Sequence, residues 1–290
     1  VATMAKLEPE TALDTGDLNV RPMTPTIGAE ILDIDLAHPE IEQRIPEIRA
    51  ALLKHGVIFF RDQELTAHQH IAFGRHFGEL EIHPATPKKQ ADREILHIAH
   101  GPESRGRENM WHSDVTWRPE PSLGSILRAV EVPEVGGDTL FVDMNRAYEM
   151  LSPEMQKFCS GLTAVHDIAR VFGKRLTMTP EELLIKYPLQ SHPVIRTHPE
   201  TGKQVIYVNR AFTSHIEGLS KTESATLIEH LCATASNPEI QCRFRWEAGS
   251  MAFWDNRICQ HFAASDYFPA VRKMERVTIA GDKPFYEAGD

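Results

Sequence analysis

His112, Ser113 and Asp114 stand together near the middle of the chain, and His261 follows far downstream in WDNRICQH, residues 254–261. Side chains at i and i+2 of a strand point to one face. A strand here would aim His112 and Asp114 at one ion while Ser113 points away. His261 would then complete a set of two imidazoles and one carboxylate with coordination positions left open. That donor set suits an iron(II) that activates oxygen. The same groups could hold zinc in a hydrolase, or sit idle in a non-catalytic jelly-roll binding protein. The chain has fifteen histidines, so an H-x-D triplet alone decides little and its surroundings must decide.

Arg272, Met274 and Arg276 alternate at the spacing of a strand, which places two guanidinium groups on one face. Arginines directed into a sandwich interior need anionic partners. Their planar fork suits carboxylate and sulfonate, and a zinc hydrolase gives no reason for such an anion site. Other acid–histidine sets compete poorly. His166 and Asp167 are adjacent and would face opposite sides of a strand. Asp33 and Asp35 lack a neighbouring histidine, and His97 and His100 lack a placed carboxylate. His68 and His70 fall on a helix and are expected to face solvent.

The elements that must position these groups are mostly strands. VIFF at 57–60 reads as a short buried strand, and Thr26 to Leu36 as a strand or hairpin arm. Ile41, Ile45, Ile48 and Leu52 recur at helical spacing up to Gly56, and a second helix runs from Thr66 to Phe77. Ser152-Pro153 reads as a helix start. Ser220 with Glu223 forms a capping box before a helix to about Ala235. Further strands are expected at 123–130, 138–142, 161–169, 192–197, 204–209, 241–246, 250–254 and 272–280. Eight or so antiparallel strands with flanking helices predict a mainly β, double-sheet jelly roll. Residues 1–17 are expected to be a mobile leader and 18–290 a single domain.

The 290 residues carry a net charge of −10, which argues against nucleic acid as a partner. No apolar run approaches a membrane span. Cys159, Cys232, Cys242 and Cys259 lack CxxC spacing and read as reduced thiols of a cytoplasmic protein. A homo-oligomer is expected.

WHSDVTW (111–117), GGDTLF (136–141), HPVIRTHPETGKQ (192–204), YVNRAF (207–212), WDNRICQHFAASDY (254–267) and RKMERVTIAGDKPF (272–285) closely resemble the taurine dioxygenase (TauD/TfdA-like) family of Fe(II)/2-oxoglutarate-dependent dioxygenases. The likeness runs from about Ile27 to the C-terminus. It implies a double-stranded β-helix core, with His112, Asp114 and His261 as catalytic iron ligands. It implies Arg272 as the partner of the distal carboxylate of 2-oxoglutarate, helped by the hydroxyl of Thr139. Fe(II), 2-oxoglutarate and O2 are the cofactors implied, and succinate and carbon dioxide the co-products. Arg276 and His83 match the positions that hold a substrate sulfonate, and Phe172 and Phe212 match pocket aromatics. Thr86 replaces a tyrosine of the taurine enzymes, and Glu108, with Asn109 beside it, stands where they have an asparagine.

The expected partner is thus a small anionic organic substrate. The expected reaction hydroxylates the carbon next to the anionic group of a small organosulfonate, releasing sulfite and an aldehyde. The same chemistry on alkyl sulfate esters or aryloxyalkanoic acids is the alternative.

Overall fold

The computed structural model describes residues 14–83, 86–173 and 178–288. Of the expected leader, residues 1–13 lie outside the described residues. The strands are β1 (Asn19–Pro22), β2 (Ala29–Leu32), β3 (Val57–Phe60), β4 (Leu96–His100), β5 (Gly124–Glu131), β6 (Thr139–Asp143), β7 (Thr163–His166) and β8 (Gln190–Pro193), followed by β9 (Ile195–Thr197), β10 (Gln204–Ile206), β11 (Thr213–Ile216), β12 (Gln241–Phe244), β13 (Met251–Asp255), β14 (Cys259–Ala263) and β15 (Arg272–Ile279). The helices are α1 (Ile45–His55), α2 (Ala67–Arg75), α3 (Met144–Glu149), α4 (Pro153–Ser160), α5 (Ala169–Phe172), α6 (Pro180–Lys186) and α7 (Lys221–Ala233).

A seven-stranded sheet in the order β1-β2-β3-β13-β5-β15-β4 forms one wall. Smaller sheets, β12-β6-β14, β11-β7-β8 and β10-β9, lie in the remainder of the chain. Strand alternation shows how the large sheet is covered. Val57 and Phe59 of β3 join a core cluster with Phe141 of β6 and Phe244 of β12, while Ile58 and Phe60 join a second cluster with Ile48 and Leu52 of α1 and Phe73 of α2. One face of the large sheet therefore packs on the β6-containing sheet and the other on helices. This is a jelly-roll core backed by helices. Pairing is antiparallel except for β2 with β3, which run parallel. The expected strand at 192–197 breaks into β8, paired with β7, and β9, paired with β10.

The cap signals locate the helices well. Gly56 ends α1 with φ +70, and Thr66 and Ser220 each make a capping box, with Gln69 and Glu223. The expectation for His70 is overturned: it is fully buried, with Nε2 3.2 Å from the carbonyl of Ile126 on β5. Together with Phe73 and Gly74 of α2, and Phe77 just past its end, it forms an i, i+3, i+4, i+7 stripe that faces the sheet. His68 is exposed as expected. All four cysteines are free and buried. No helix among the described residues is long and apolar enough to cross a membrane.

Burial holds the imidazoles of His70 and His192 down to about 4, and that of His166 well below its ordinary value. In the unfolded chain such groups take up a proton near pH 6.5. Between pH 6.5 and about 4 the unfolded state therefore binds more protons, and stability falls as pH falls. Urea unfolding at pH 7 and pH 5 is expected to show a loss of a few kcal/mol, at about 1.4 kcal/mol per pH unit per group. An equal or higher midpoint at pH 5 would contradict the burial of these neutral imidazoles.

Candidate active site

His112 and Asp114 do not lie on a regular strand. His112 makes an isolated β-bridge with His261 of β14, and the chain then turns. The turn follows from Val115, whose φ of +48 is rare for a β-branched residue. The expected outcome survives, because the bridge and the turn bring the same side chains together. One potential ligand atom from each of His112, Asp114 and His261 lies within 4.8 Å of the others.

Each group has partners that orient it. His112 Nδ1 lies 2.7 Å from the carbonyl of Met110. A carbonyl only accepts, so Nδ1 carries the proton and Nε2, 3.7 Å from Asp114 Oδ1, keeps its lone pair for a metal. Arg276 Nη1 donates to Asp114 Oδ2 at 3.1 Å and Oδ1 at 3.3 Å, and Ser125 Oγ donates to Oδ2 at 3.3 Å. Burial alone would raise the Asp114 pKa. Arg276, His261, His112 and His83 together outweigh it, Arg276 most of all, and the carboxyl stays well below its usual range. His261 is pushed down to about 3, first by burial and then by His112. Its Nδ1 is buried and meets no partner among the described residues. A neutral His261 beside an ionised Asp114 is the protonation state that a divalent metal requires of those ligands.

A cavity of about 240 Å³ opens over these residues. His83, Glu108, Thr139, Phe172, Phe212, Arg272 and Arg276 all line it together with the triad. Thr86 and Asn109 are not among its lining residues: Thr86 is buried elsewhere and Asn109 is exposed. His83 is held down to about 4 by burial and then by Arg276 and Arg118. Glu108 Oε2 lies 3.3 Å from His100 Nε2 and accepts from the N–H of Arg107 at 2.9 Å.

Arg272 is 5% exposed, and its Nη2 is buried with no partner among the described residues. Its Nε donates to the carbonyl of Gly137 at 3.2 Å. Gly136 and Gly137 both have positive φ, at +85 and +73, and a Cβ on Gly137 would stand 3.2 Å from Arg272 Cδ. The paired glycines thus let this carbonyl approach the guanidinium. Trp246 Nε1 donates to Thr139 Oγ1 at 2.9 Å, which leaves the Thr139 hydroxyl proton for another acceptor. A buried guanidinium with an unmet donor beside such a hydroxyl fits a carboxylate.

Sequence reasoning missed several of these partners. Trp246 was legible only as the last residue of the strand expected at 241–246. Ser125 carried no signal, because a strand serine is usually unremarkable. The Glu81–Arg118 ion pair next to His83 joins residues 37 apart and has no spacing rule.

A jelly roll that holds two imidazoles and a carboxylate over an arginine-lined cavity defines a non-haem iron oxygenase. Residues 19–278 match the family described as "Taurine catabolism dioxygenase TauD, TfdA family". An alpha-ketoglutarate-dependent sulfate ester dioxygenase of Pseudomonas putida is 35% identical, over 92% of this chain and 91% of its own. An alkylsulfatase of Acinetobacter baylyi is 34% identical, over 92% of this chain and 86% of its own. The crystal structure of a taurine dioxygenase from Burkholderia xenovorans is similar at a TM-score of 0.80 and 39% identity, covering 95% of this chain and 93% of that one. The chain belongs to the TauD/TfdA family of Fe(II)- and 2-oxoglutarate-dependent dioxygenases. Its chemistry is that of this class, on a small organic anion.

Proposed function

We propose that the enzyme oxidises the carbon bearing the sulfur oxyanion of an alkyl sulfate ester. His112, Asp114 and His261 would hold iron(II), and Arg272 with Thr139 would grip the distal carboxylate of 2-oxoglutarate. When bound, iron(II) with 2-oxoglutarate and O2 supplies an oxidant that replaces a substrate C–H by C–OH, with release of succinate and carbon dioxide. Arg276 and His83 would fix the substrate anion. An α-hydroxy sulfate ester is unstable and collapses to an aldehyde and inorganic sulfate.

The observation that carries the reading is the unmet Nη2 of buried Arg272 in the same cavity as the triad. The choice of an alkyl chain over an aminoalkyl one rests on an apolar wall of the cavity. Val115, Trp117, Val171, Phe172, Ala211 and Phe212 line the cavity and belong to one apolar cluster, which also contains Leu183 of α6. Such a wall suits an alkyl chain better than an ammonium group. The choice of sulfate ester over sulfonate rests on the names of the Pseudomonas and Acinetobacter relatives. A second reading, an aminoalkanesulfonate, is favoured by Glu108, a carboxylate on the cavity wall that could meet an amine.

Purified enzyme with Fe(II) and 2-oxoglutarate should form succinate fastest with a medium-chain alkyl sulfate, and release sulfate. Taurine, alkanesulfonates and aryloxyacetates serve as the comparison set. Faster turnover of taurine with release of sulfite would replace the first reading by the second.

A further inference from the structure

His112, Ser113 and Asp114 are each fastened to residues 256–261, the turn after β13 and the strand β14. The backbone of His112 exchanges hydrogen bonds with His261, at 3.1 and 2.8 Å. Ser113 Oγ donates to the carbonyl of Cys259 at 2.9 Å. Asp114 is held by a side chain: its N–H donates to Asn256 Oδ1 at 2.6 Å, and Asn256 Nδ2 donates back to its carbonyl at 3.0 Å. The primary amide of Asn256 thus presents one acceptor and one donor to residue 114, as the backbone of a neighbouring strand would.

A backbone partner is excluded there because Val115 leaves the strand direction at φ +48. A β-branched residue in that region persists only where its neighbours over-determine it. Asn256 holds one side. On the other, Thr116 Oγ1 lies 2.9 Å from His166 Nδ1 and 3.2 Å from Asn209 Nδ2, and its carbonyl lies 2.9 Å from His192 Nε2. Asn256 is 1% exposed, and its Nδ2 also meets the carbonyl of Ser122 at 3.1 Å. It lies outside the cavity lining, as does Ser113.

The geometry points to Asn256 and Ser113 as positioning residues for the metal ligands. They fasten the backbone of 112–114 to the turn and strand that carry His261, and so set the aim of the Asp114 carboxylate against the two imidazoles. This inference rests on the triad being the metal centre. Amide chemistry is required at 256. An aspartate of the same shape would turn a carboxylate oxygen toward the carbonyls of Asp114 and Ser122, acceptor against acceptor.

The test is cobalt(II) titration of the wild type, Asn256→Asp and Ser113→Ala, followed by the visible band of the bound ion. Thermal unfolding without metal is measured beside it. Groups that orient metal ligands typically govern about 10–100-fold in metal affinity, so Asn256→Asp should weaken cobalt binding by that much and Ser113→Ala by a smaller factor. Both should also raise the succinate formed per substrate oxidised, because a misaimed centre consumes 2-oxoglutarate without hydroxylating. A purely structural role would lower the unfolding midpoint and leave cobalt affinity alone. Folded Asn256→Asp with wild-type cobalt affinity overturns the proposal. Should that variant not fold, Ser113→Ala decides, and unchanged affinity there overturns it as well. A wild type that binds no cobalt fails differently: it removes the metal centre itself, and with it both this inference and the proposed function.

Discussion

Asp114→Ala is expected to remove substrate oxidation and to leave a folded protein. Asp114 is the only carboxylate in the triad, and its side chain is almost wholly buried. Its backbone stays fastened in the variant, because the contacts with Asn256 involve only the main chain of residue 114. The carboxylate loses more than a metal contact, however. Arg276 Nη1 bonds to both of its oxygens, so the alanine leaves a largely buried guanidinium without that partner. Truncating one member of such a pair typically costs about 3–5 kcal/mol, so the unfolding midpoint should drop. Groups that merely orient ligands change affinity by about 10–100-fold, and loss of a ligand itself should exceed that range. Fe(II) titration with succinate release measures both effects. Wild-type metal affinity and turnover in the purified variant would remove Asp114 from the ligand set.

The part of this site legible in the sequence was its chemistry; the part that was not legible was its fastening. H-x-D with a distant histidine and two arginines at strand spacing named the reacting groups, because ligand type and period two leave direct traces. The strand proposed for 112–114 was the wrong local structure. Val115 occupies a backbone region that a β-branched residue seldom enters, and no propensity scale would put it there. Asn256 meets Asp114 across 142 positions, a contact that neither periodicity nor capping rules can foresee.

The fold divides along the same line. VIFF, Gly56, Thr66 and Ser220 announce themselves locally, and the elements they mark begin or end where expected. Strand β4 escaped notice because its burial is only partial along its length, as befits the edge of the large sheet. Helix α6 was overlooked despite a legible signal: Thr179 and Glu182 form a capping box around Pro180.

Arg272→Gln and Arg276→Gln should fail in different ways. The two residues lie four positions apart on β15, roughly 13 Å at about 3.3 Å per residue, and both line the cavity. Arg272 is the more isolated. Its Nε rests on the carbonyl of Gly137, its Nη2 has no partner among the described residues, and the ring of Trp246 lies 5.8 Å from its guanidinium. Burial lowers its pKa from the ordinary value, yet a guanidinium keeps its charge at neutral pH. It therefore needs an anion, and the anion of the proposed function is the distal carboxylate of 2-oxoglutarate. Losing one side of a buried, hydrogen-bonded charge pair costs about 3–5 kcal/mol, which is on the order of a hundred- to a few-thousand-fold in affinity. Arg272→Gln should weaken 2-oxoglutarate by that factor. Arg276 contacts Asp114 on the metal side of the cavity, so Arg276→Gln should weaken the primary substrate and loosen the metal while changing 2-oxoglutarate affinity far less. Anaerobic titration of the Fe(II)–2-oxoglutarate absorption band, at saturating iron, reads the co-substrate directly. If Arg276→Gln loses that band and Arg272→Gln keeps it, the two arginines have exchanged roles, and the substrate orientation proposed for this cavity is reversed.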